Sequence, residues 1–345
     1  MKNLGLNRYA FSSCVATALL VSCGGSQPPI GFEGTALQNV AKTQGRTQRA
    51  TTSSHTLVYS FENLVGGQGA LFDYPSGKMS SRLSQTFDAA GACSDKKGNV
   101  FVTGYGESME GVLVEYAYGA TSPSATFKFS SGGRGFACSV DSTTGNVATI
   151  LGNEGSFSVA VVPDFPSGSQ ETYTCAGMGE LLSVGYDGSG NLFLLGVPSS
   201  GGGTYALAEL PSGGSSFVPI SVNLGATIDQ VGTVQWDGKY LAIEATVNPG
   251  HGKPKGFPHA IYRLSVSGSS AQVVGKVNLD GLRGDLTASL GGSWIQADRN
   301  IVIFTFKTIR VWKYPAGGKE IAHLNPGAKD YPVYAGTVAT PASHS

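Results

Sequence analysis

The sequence has 345 residues, and its first 55 do not read as globular sequence, so roughly 290 residues remain for one large domain. Apolar residues make up 41% and charged residues 13%, a composition that excludes intrinsic disorder; the 50 glycines follow no three-residue period, which excludes collagen. The 23 basic and 23 acidic residues balance to zero net charge, so no general affinity for nucleic acid is expected.

The N-terminus has the pattern of a secretory signal peptide over residues 1–22. Lys2 and Arg8 form a short positive region, and residues 9–22 are apolar or small. This run is too short to cross a bilayer as a helix, which takes about 20 residues. The pattern therefore predicts export.

The segment Leu20-Val21-Ser22-Cys23 resembles the lipobox of bacterial lipoproteins. The resemblance implies that Cys23 receives a diacylglycerol and becomes the first residue of the mature protein. It also implies a cell-membrane anchor, at the outer membrane if the organism has two membranes. The alternative is an ordinary cleaved signal with an incidental cysteine.

Residues 23–55 are rich in Gly, Ser, Thr, Gln and Pro, with few large apolar groups. Such a segment cannot bury enough surface to offset its ordering entropy. We therefore predict a flexible tether between the lipid and the folded body.

The body contains a recurring unit in which an aspartate, a short turn and Gly-Asn precede an apolar run. The copies begin at Asp95, Asp141 and Asp187, with weaker copies at Asp237 and Asp298. A second unit, an alternating run that ends in an aromatic residue or Leu, follows along the chain. Its six end positions are Tyr74, Tyr116, Phe165, Leu210, Leu264 and Tyr314.

These end positions lie 42 to 54 residues apart, a period typical of β-propeller blades. The runs between them are short and β-branched or aromatic, and Gly-Asn, Asp-Gly and Pro-Ser-Gly punctuate them as turns. The sequence predicts an all-β fold over residues 56–340: a six-bladed propeller of four-stranded antiparallel blades, followed by a tail at 341–345. Seven blades or an open sandwich are the alternatives.

We place the innermost strand of each blade just before the aspartate turn. The first copy, near Thr56, lacks such a strand, and the C-terminal stretch Gly336-Thr337-Val338-Ala339 echoes Gly232-Thr233-Val234-Gln235. We therefore expect the C-terminal strand to complete the first blade and close the ring. The repeats resemble those of six-bladed NHL-like and YncE-like bacterial propellers, a resemblance that implies a fold and no particular activity.

The aspartate turns allow two interpretations. Asp187, Ser189 and Asn191 offer oxygens at alternating positions, as calcium loops do, but Leu192 stands where such a loop needs glycine. The favoured interpretation is that each aspartate accepts backbone N–H bonds within a tight turn. No metal and no cofactor is predicted.

The longest excursion between predicted strands runs from Asn248 to His259. It carries His251, Lys253, Lys255 and His259 and is a candidate binding loop, since long loops on a rigid scaffold often carry function. A tolerated insertion is the alternative.

Motifs for a nucleophile or a phosphate site are absent from the sequence. Six-bladed lactonases, which bind a metal through channel-lining side chains, suggest Glu244, Asp285 and Asp298 as candidates. Ordinary surface carboxylates are the favoured interpretation of these three residues.

Cys14 leaves with the signal peptide and Cys23 is the lipid site, so Cys93, Cys138 and Cys175 remain in the body. Oxidising conditions after export permit one disulfide. Buried free thiols are slightly favoured over that bond.

Taken together, the sequence favours a lipid-anchored, monomeric cell-envelope propeller that binds a protein, a glycan or another envelope ligand, over a metal-dependent lactonase or hydrolase. A purely structural envelope protein is a weaker third interpretation. Three or four converging Asp, Glu, Asn or His side chains at one mouth of the central channel would favour the enzyme. Small and apolar side chains there would favour the binding protein.

Overall fold

The computed structural model describes residues 55–62, 68–130, 133–153, 155–201, 203–248, 257–283, 292–296, 299–305, 308–324 and 333–340. Within these ranges the chain forms strands, turns and coil, and no helix. The strands are, in chain order, β1 (Leu57–Glu62), β2 (Gln68–Asp73), β3 (Lys78–Ser84), β4 (Asp88–Ser94), β5 (Val100–Tyr105), β6 (Gly111–Tyr116), β7 (Ala125–Lys128), β8 (Arg134–Val140), β9 (Val147–Asn153), β10 (Ser156–Val162), β11 (Glu171–Tyr173), β12 (Met178–Tyr186), β13 (Leu192–Pro198), β14 (Ala206–Leu210), β15 (Val218–Val222), β16 (Ile228–Trp236), β17 (Leu241–Val247), β18 (Pro258–Ser267), β19 (Ser270–Arg283), β20 (Ser293–Gln296), β21 (Asn300–Phe304), β22 (Ile309–Lys313), β23 (Gly318–Lys319), β24 (Ala322–Leu324) and β25 (Val333–Ala339).

Most of these strands form four-stranded antiparallel sheets, as predicted. Four sheets have the orders β25-β1-β2-β3, β4-β5-β6-β7, β8-β9-β10-β11 and β20-β21-β22-β24. Apart from β25, and from β23, which lies between β22 and β24 along the chain but pairs elsewhere, each sheet is a meander of consecutive strands. The all-β fold and the four-stranded unit of the prediction are therefore confirmed.

The fifth sheet differs from the prediction because it has nine strands. It contains two four-stranded meanders, β12 to β15 and β16 to β19, joined where the outer strands β15 and β19 pair in parallel. Val222 lies opposite Ala271 in that pairing. The ninth strand, β23, pairs in parallel with β19. The hairpin of β18 and β19 is unusually long, with 10 and 14 residues, which lets β19 reach the neighbouring outer strand.

The two ends of the folded region pair with each other. Leu57 lies opposite Ala339, Tyr59 opposite Thr337 and Phe61 opposite Ala335 in the antiparallel ladder of β1 and β25. This confirms the prediction that residues 336–339 complete the sheet that begins near Thr56. Pairing also removes an exposed edge of β1, which would otherwise present unpaired N–H and C=O groups.

The aspartate turns follow the first strand of their sheets. Oδ1 of Asp95 accepts the backbone N–H groups of Lys97 and Asn99, both at 2.8 Å, and Oδ2 accepts the side-chain amide of Asn99 at 3.0 Å. Gly98 has φ +84°, a left-handed conformation that explains the glycine of the repeat. Asp187 makes the same three bonds, so the favoured interpretation of these turns is confirmed.

The hydrophobic core is divided into clusters that lie between successive sheets. Tyr59 and Phe61 of the first sheet pack with Tyr116 of the second, and all three side chains are fully buried. Burying one such side chain stabilises the fold by about 1.5–3 kcal/mol. The sheets thus shield each other's faces, as expected for units too small to bury themselves.

Candidate functional site

The first strand of each repeat lies at the centre of the molecule. These strands, β25, β4, β8, β12, β16 and β20, are called the inner strands. Each contacts the next in this order, and β20 contacts β25. Between them lies a cavity of about 910 Å³, lined mainly by residues of the inner strands and called the central cavity. A cavity of this size is in the range that holds a small organic ligand.

Side chains join the inner strands where no backbone ladder does. Ser94 Oγ donates to the carbonyl of Val338 at 2.9 Å. Ser139 Oγ accepts the N–H of Tyr186, and Ser183 Oγ accepts the N–H of Val234, both at 3.0 Å. These bonds satisfy backbone groups that face the cavity, where an unpaired group would be costly.

The amide of Gln235 makes a double link to the next inner strand. Its Nε2 donates to the carbonyl of Ser293 at 2.9 Å, and its Oε1 accepts the N–H of Ile295 at 2.8 Å. The amide imitates a strand partner for β20, the shortest inner strand. Neighbouring inner strands run in parallel, because later residues of one contact later residues of the next. Gly91 and Cys93 of β4 lie beside Phe136 and Cys138 of β8. Thr233 and Gln235 of β16 likewise contact Ser293 and Ile295 of β20. All inner strands therefore begin at one mouth of the cavity, called the N-terminal mouth.

Small side chains form much of the cavity wall. They include Ala90, Ala92, Ala137, Gly232, Gly292 and Gly336. Larger apolar and aromatic groups, among them Phe136, Leu182, Trp236 and Trp294, complete it. The described part of the wall is therefore built mainly of small, apolar and aromatic side chains, with hydroxyl, amide and carboxylate groups among them.

Close backbone approach explains part of this preference for small residues. A Cβ atom on Gly91 would lie 1.5 Å from the carbonyl oxygen of Phe136 on the next inner strand. A Cβ on Gly185 would lie 2.5 Å from the carbonyl oxygen of Val234. Only glycine lets these inner strands approach so closely.

Acidic residues are the charged groups of the wall. Glu180 and Asp229 line the cavity near the first residues of β12 and β16, and Asp187 lines it just beyond the end of β12. Among the described lining residues there is no Lys, Arg or His. Asp187 is engaged in its turn, whereas Glu180 and Asp229 make no hydrogen bond or ion pair to another described side chain.

A buried polar network lies behind the wall between β16 and β20. Glu244, 1% exposed, has Oε1 3.5 Å from Nδ1 of His259, which is 3% exposed. Its Oε2 accepts a hydrogen bond of 3.4 Å from Thr233 Oγ1, and Thr233 is hydrogen-bonded to Ser293. Thr233 and Ser293 line the cavity, so this network extends from the cavity into the sheet.

An arginine lies beside the N-terminal mouth without belonging to the wall. The guanidinium of Arg134 lies over the rings of Tyr105 and Phe136, 4.7 and 5.4 Å from their centroids. The pKa of Tyr105 is raised, first by its hydrogen bond with Asp88 and then by burial, while the charge of Arg134 opposes the shift. Asp88 and Arg134 therefore flank one hydroxyl with opposite charges.

The candidate loop residues are only partly described by the structure. His251, Lys253 and Lys255 lie outside the described residues. His259 lies in β18, opposite Thr246 of β17, and is buried. Its interpretation as part of an exposed binding loop is therefore corrected: β18 begins at Pro258, and His259 points into the buried network with Glu244.

Glu244 is buried, so its interpretation as a surface carboxylate is corrected as well, and it is not among the residues that line the cavity. Asp285, Asp298 and the lipid site Cys23 lie outside the described residues. In the part of the chain that is described, no three His, Cys, Asp or Glu side chains group as metal ligands would. No helix among the described residues is long and apolar enough to cross a membrane.

The favoured interpretation of the cysteines as free thiols is wrong for two of the three. Cys93 on β4 and Cys138 on β8 form a disulfide, with Cα atoms 5.6 Å apart. Cys175 is a free, partly buried thiol, and burial raises its pKa. The disulfide joins neighbouring inner strands covalently.

No protein-family model matches the sequence, and no curated protein is similar to it by sequence. By structure, the chain is similar to one in the crystal structure of a nidogen/laminin complex, with 10% identity over 82% of this chain and 98% of that chain and a TM-score of 0.58. It is also similar to a protein of unknown function from Bacteroides caccae, with 10% identity over 83% of this chain and 99% of that one and a TM-score of 0.55.

TolB from Acinetobacter baumannii is similar with 11% identity over 83% of this chain and 67% of that chain, at a TM-score of 0.54. The chain has a β-propeller fold. At such low identities the likeness is one of architecture. The propeller's function has to be argued from the cavity itself.

Proposed function

We propose that this chain is a lipid-anchored binding protein of the bacterial cell envelope whose propeller holds its ligand in the central cavity. The observation that carries the proposal is the cavity wall. Small, apolar and aromatic side chains make up most of it, and hydroxyl, amide and carboxylate groups are placed among them, a combination that suits a ligand with both apolar and polar parts.

Six blades build this cavity. The nine-stranded sheet divides into two blades, β12 to β15 and β16 to β19, because a hydrophobic cluster separates their faces as others separate the remaining sheets. Phe193 and Leu207 from one meander pack there against Ile243 and Tyr262 from the other. Together with the four single sheets this gives six blades, each with one inner strand.

The anchor is proposed from the lipobox-like segment that ends at Cys23. Multiple acyl chains hold a soluble domain at a bilayer because each buried CH₂ contributes about 0.8 kcal/mol. The tether over residues 23–55 would then let the propeller search the space next to the membrane. The ligand is accordingly a component of the envelope.

Native mass spectrometry tests the binding function directly. The full chain, purified in detergent, is mixed with an extract of the cell envelope and measured for a discrete mass increment. Ala90→Trp adds a large ring to the cavity wall, and Thr204→Trp, at an exposed position of the N-terminal mouth, narrows access without touching the core. Met109→Trp is the matched control, since Met109 is 68% exposed in a turn outside the wall.

We expect the wild-type chain and Met109→Trp to carry the increment, and the two cavity variants to lose it. Equal increments in all four proteins would place the ligand elsewhere and overturn the proposal. Turnover of lactone substrates by the chain supplied with Ca²⁺ would favour the enzyme instead.

The anchor has its own test. Cys23→Ser should release the protein from the membrane fraction or block its processing, while Cys14→Ser, the same substitution within the signal region, should leave it membrane-bound and acylated. A wild-type protein without acyl groups by mass spectrometry would disprove the anchor and leave the cavity proposal standing.

A further inference from the structure

The charge of the cavity wall limits the chemistry of the ligand. Among the described lining residues, the charged side chains are Glu180, Asp187 and Asp229, and all three are acidic although the chain as a whole is neutral. Low-dielectric walls of one sign focus the electric field within a cleft and concentrate ions of the opposite sign. The central cavity therefore attracts cations and repels anions.

Two of these carboxylates are available to a ligand. Glu180 is exposed on β12 and Asp229 is half-buried on β16, which contacts β12. Both stand at the N-terminal mouth, and within the described residues neither has a hydrogen-bonding or ionic partner. A cation passing this mouth meets both carboxylates before it meets the apolar wall.

The buried network presents a hydrogen-bond acceptor to the same cavity. A carboxylate only accepts, so Thr233 donates its hydroxyl proton to Glu244 Oε2. Ser293 then donates to Thr233, to which it is hydrogen-bonded, and its remaining lone pairs stay available. At this point the wall complements a donor such as an N–H group.

Aromatic rings are the third feature of the cavity wall that suits a cationic ligand. Trp294, which follows Ser293 on β20, lines the cavity and is only partly buried. Trp236 also lines it, but it ends β16 about 23 Å along the strand from Asp229 and belongs to the opposite mouth. The face of an indole attracts an ammonium group that comes within about 6 Å of the ring centroid. Among the described residues, Arg134 lies beside this mouth and is already stacked on the rings of Tyr105 and Phe136, with Asp88 hydrogen-bonded to the same Tyr105 hydroxyl.

We propose that the ligand of the central cavity is an organic cation with ammonium N–H donors, held at the N-terminal mouth by Glu180 and Asp229. This inference rests on the proposed binding function and names its ligand class. The carboxylates neutralise the ammonium charge at the mouth, and the carbon chain extends along β16 toward Ser293, which accepts an N–H donor, and toward the Trp294 ring beside it. Thr233, which is hydrogen-bonded to Ser293, lies about 13 Å along β16 from Asp229.

Titration calorimetry with spermidine as the probe tests this proposal. The full chain in detergent is titrated at constant ionic strength with spermidine, and separately with citrate as an anion of comparable size. The variants are Glu180→Gln, Asp229→Asn and their combination. Glu107→Gln is the matched control, because it removes one negative charge from an exposed turn that is not part of the cavity wall.

We expect one saturable spermidine site and no citrate binding. Each single variant should weaken spermidine binding about 3- to 10-fold, the double variant more than 10-fold, and Glu107→Gln less than 2-fold, in line with partly exposed charge pairs. Ala90→Trp and Thr204→Trp should abolish the site. Spermidine binding that survives in the double variant or in both Trp variants overturns the proposal.

The outcome separates this inference from the proposed function. In one outcome, spermidine does not bind or citrate binds in its place, but an envelope component still binds and Ala90→Trp blocks that binding. The cationic ligand class is then wrong, and the proposed binding function stands. If neither the envelope extract nor spermidine gives a cavity-dependent signal, both fail.

Discussion

The hydroxyl of Tyr314 donates a 2.7 Å hydrogen bond to Oδ2 of Asp237, a carboxylate whose side chain is fully buried. The two residues follow β22 and β16, so the bond connects neighbouring sheets. Arg263 Nε donates to the same oxygen at 2.6 Å, and its guanidinium lies between the rings of Tyr240 and Tyr314. The backbone N–H groups of Lys239 and Tyr240 bind the other oxygen.

Tyr314→Phe should therefore destabilise the fold out of proportion to the single atom it removes. The buried carboxylate of Asp237 loses one donor, and a hydrogen bond to a charged group contributes about 1.5–3 kcal/mol. We expect the free energy of unfolding in denaturant to fall by about that amount. Tyr240→Phe is the control, since the Tyr240 hydroxyl has no hydrogen-bond partner among the described residues; an equal loss in both variants would contradict the assignment.

Asp237 should also make the stability of the folded protein fall at low pH. Burial alone would raise its pKa, but the donors Tyr314 and Arg263 and the two backbone N–H groups hold it below its ordinary value. A lowered pKa means stability that is present above the unfolded value of about 3.9 and is lost as the pH falls through the folded value. The stability difference between wild type and Asp237→Asn should thus shrink below about pH 4. A difference that stays constant from neutral pH to pH 3 would argue against this linkage.

Gly91→Ala should prevent β4 and β8 from keeping their contact. The new methyl group would lie 1.5 Å from the carbonyl oxygen of Phe136, and backbone cannot yield as a flexible side chain does. We expect several kcal/mol of destabilisation, on the order of 3 or more, seen in thermal unfolding. Gly275→Ala, whose nearest neighbours lie 3.6 and 3.8 Å away, should be tolerated; similar melting temperatures for both variants would show that the inner strands are not so tightly packed.

The Cys93–Cys138 disulfide should stabilise the same strand pair. It closes a loop of 45 residues, and native disulfides contribute about 2–4 kcal/mol. Replacing both cysteines with serine should lower the free energy of unfolding by about that amount, and a reductant should act on the wild-type protein but not on the variant. Cys175→Ser is the control and should change little. Peptide mapping under non-reducing conditions that finds Cys93 as a free thiol would contradict the bond.

The repeat could be recognised from the sequence because each aspartate turn depends only on residues that are neighbours along the chain. The turn at Asp95 needs an acceptor, a left-handed glycine and a polar closing residue, and these recur with the period of the blades. The pairing of residues 336–339 with the first strand was also predictable, since that first copy lacked an inner strand. The turn is encoded within a few neighbouring residues, and the closing strand follows from counting one inner strand for each repeat.

The candidate site was less predictable because its residues lie on different inner strands, which come together only when the sheets form a ring. Glu180 and Asp229 lie 49 positions apart, and nothing local distinguishes them from other carboxylates of the chain. The burial of His259 depends on where β18 begins, which is one residue before the predicted loop ends. The disulfide depends on the register of two inner strands, which spacing along the chain does not determine.

Hydrogen–deuterium exchange of the intact chain, with and without the envelope fraction that gives the native-mass increment, tests the central-cavity account most directly. The account predicts slower exchange in peptides from β12, β16 and β20, whose residues line one side of the cavity, and unchanged exchange in the outer strands β3, β7 and β11. Protection confined to outer strands, with no change in the inner strands, would contradict it.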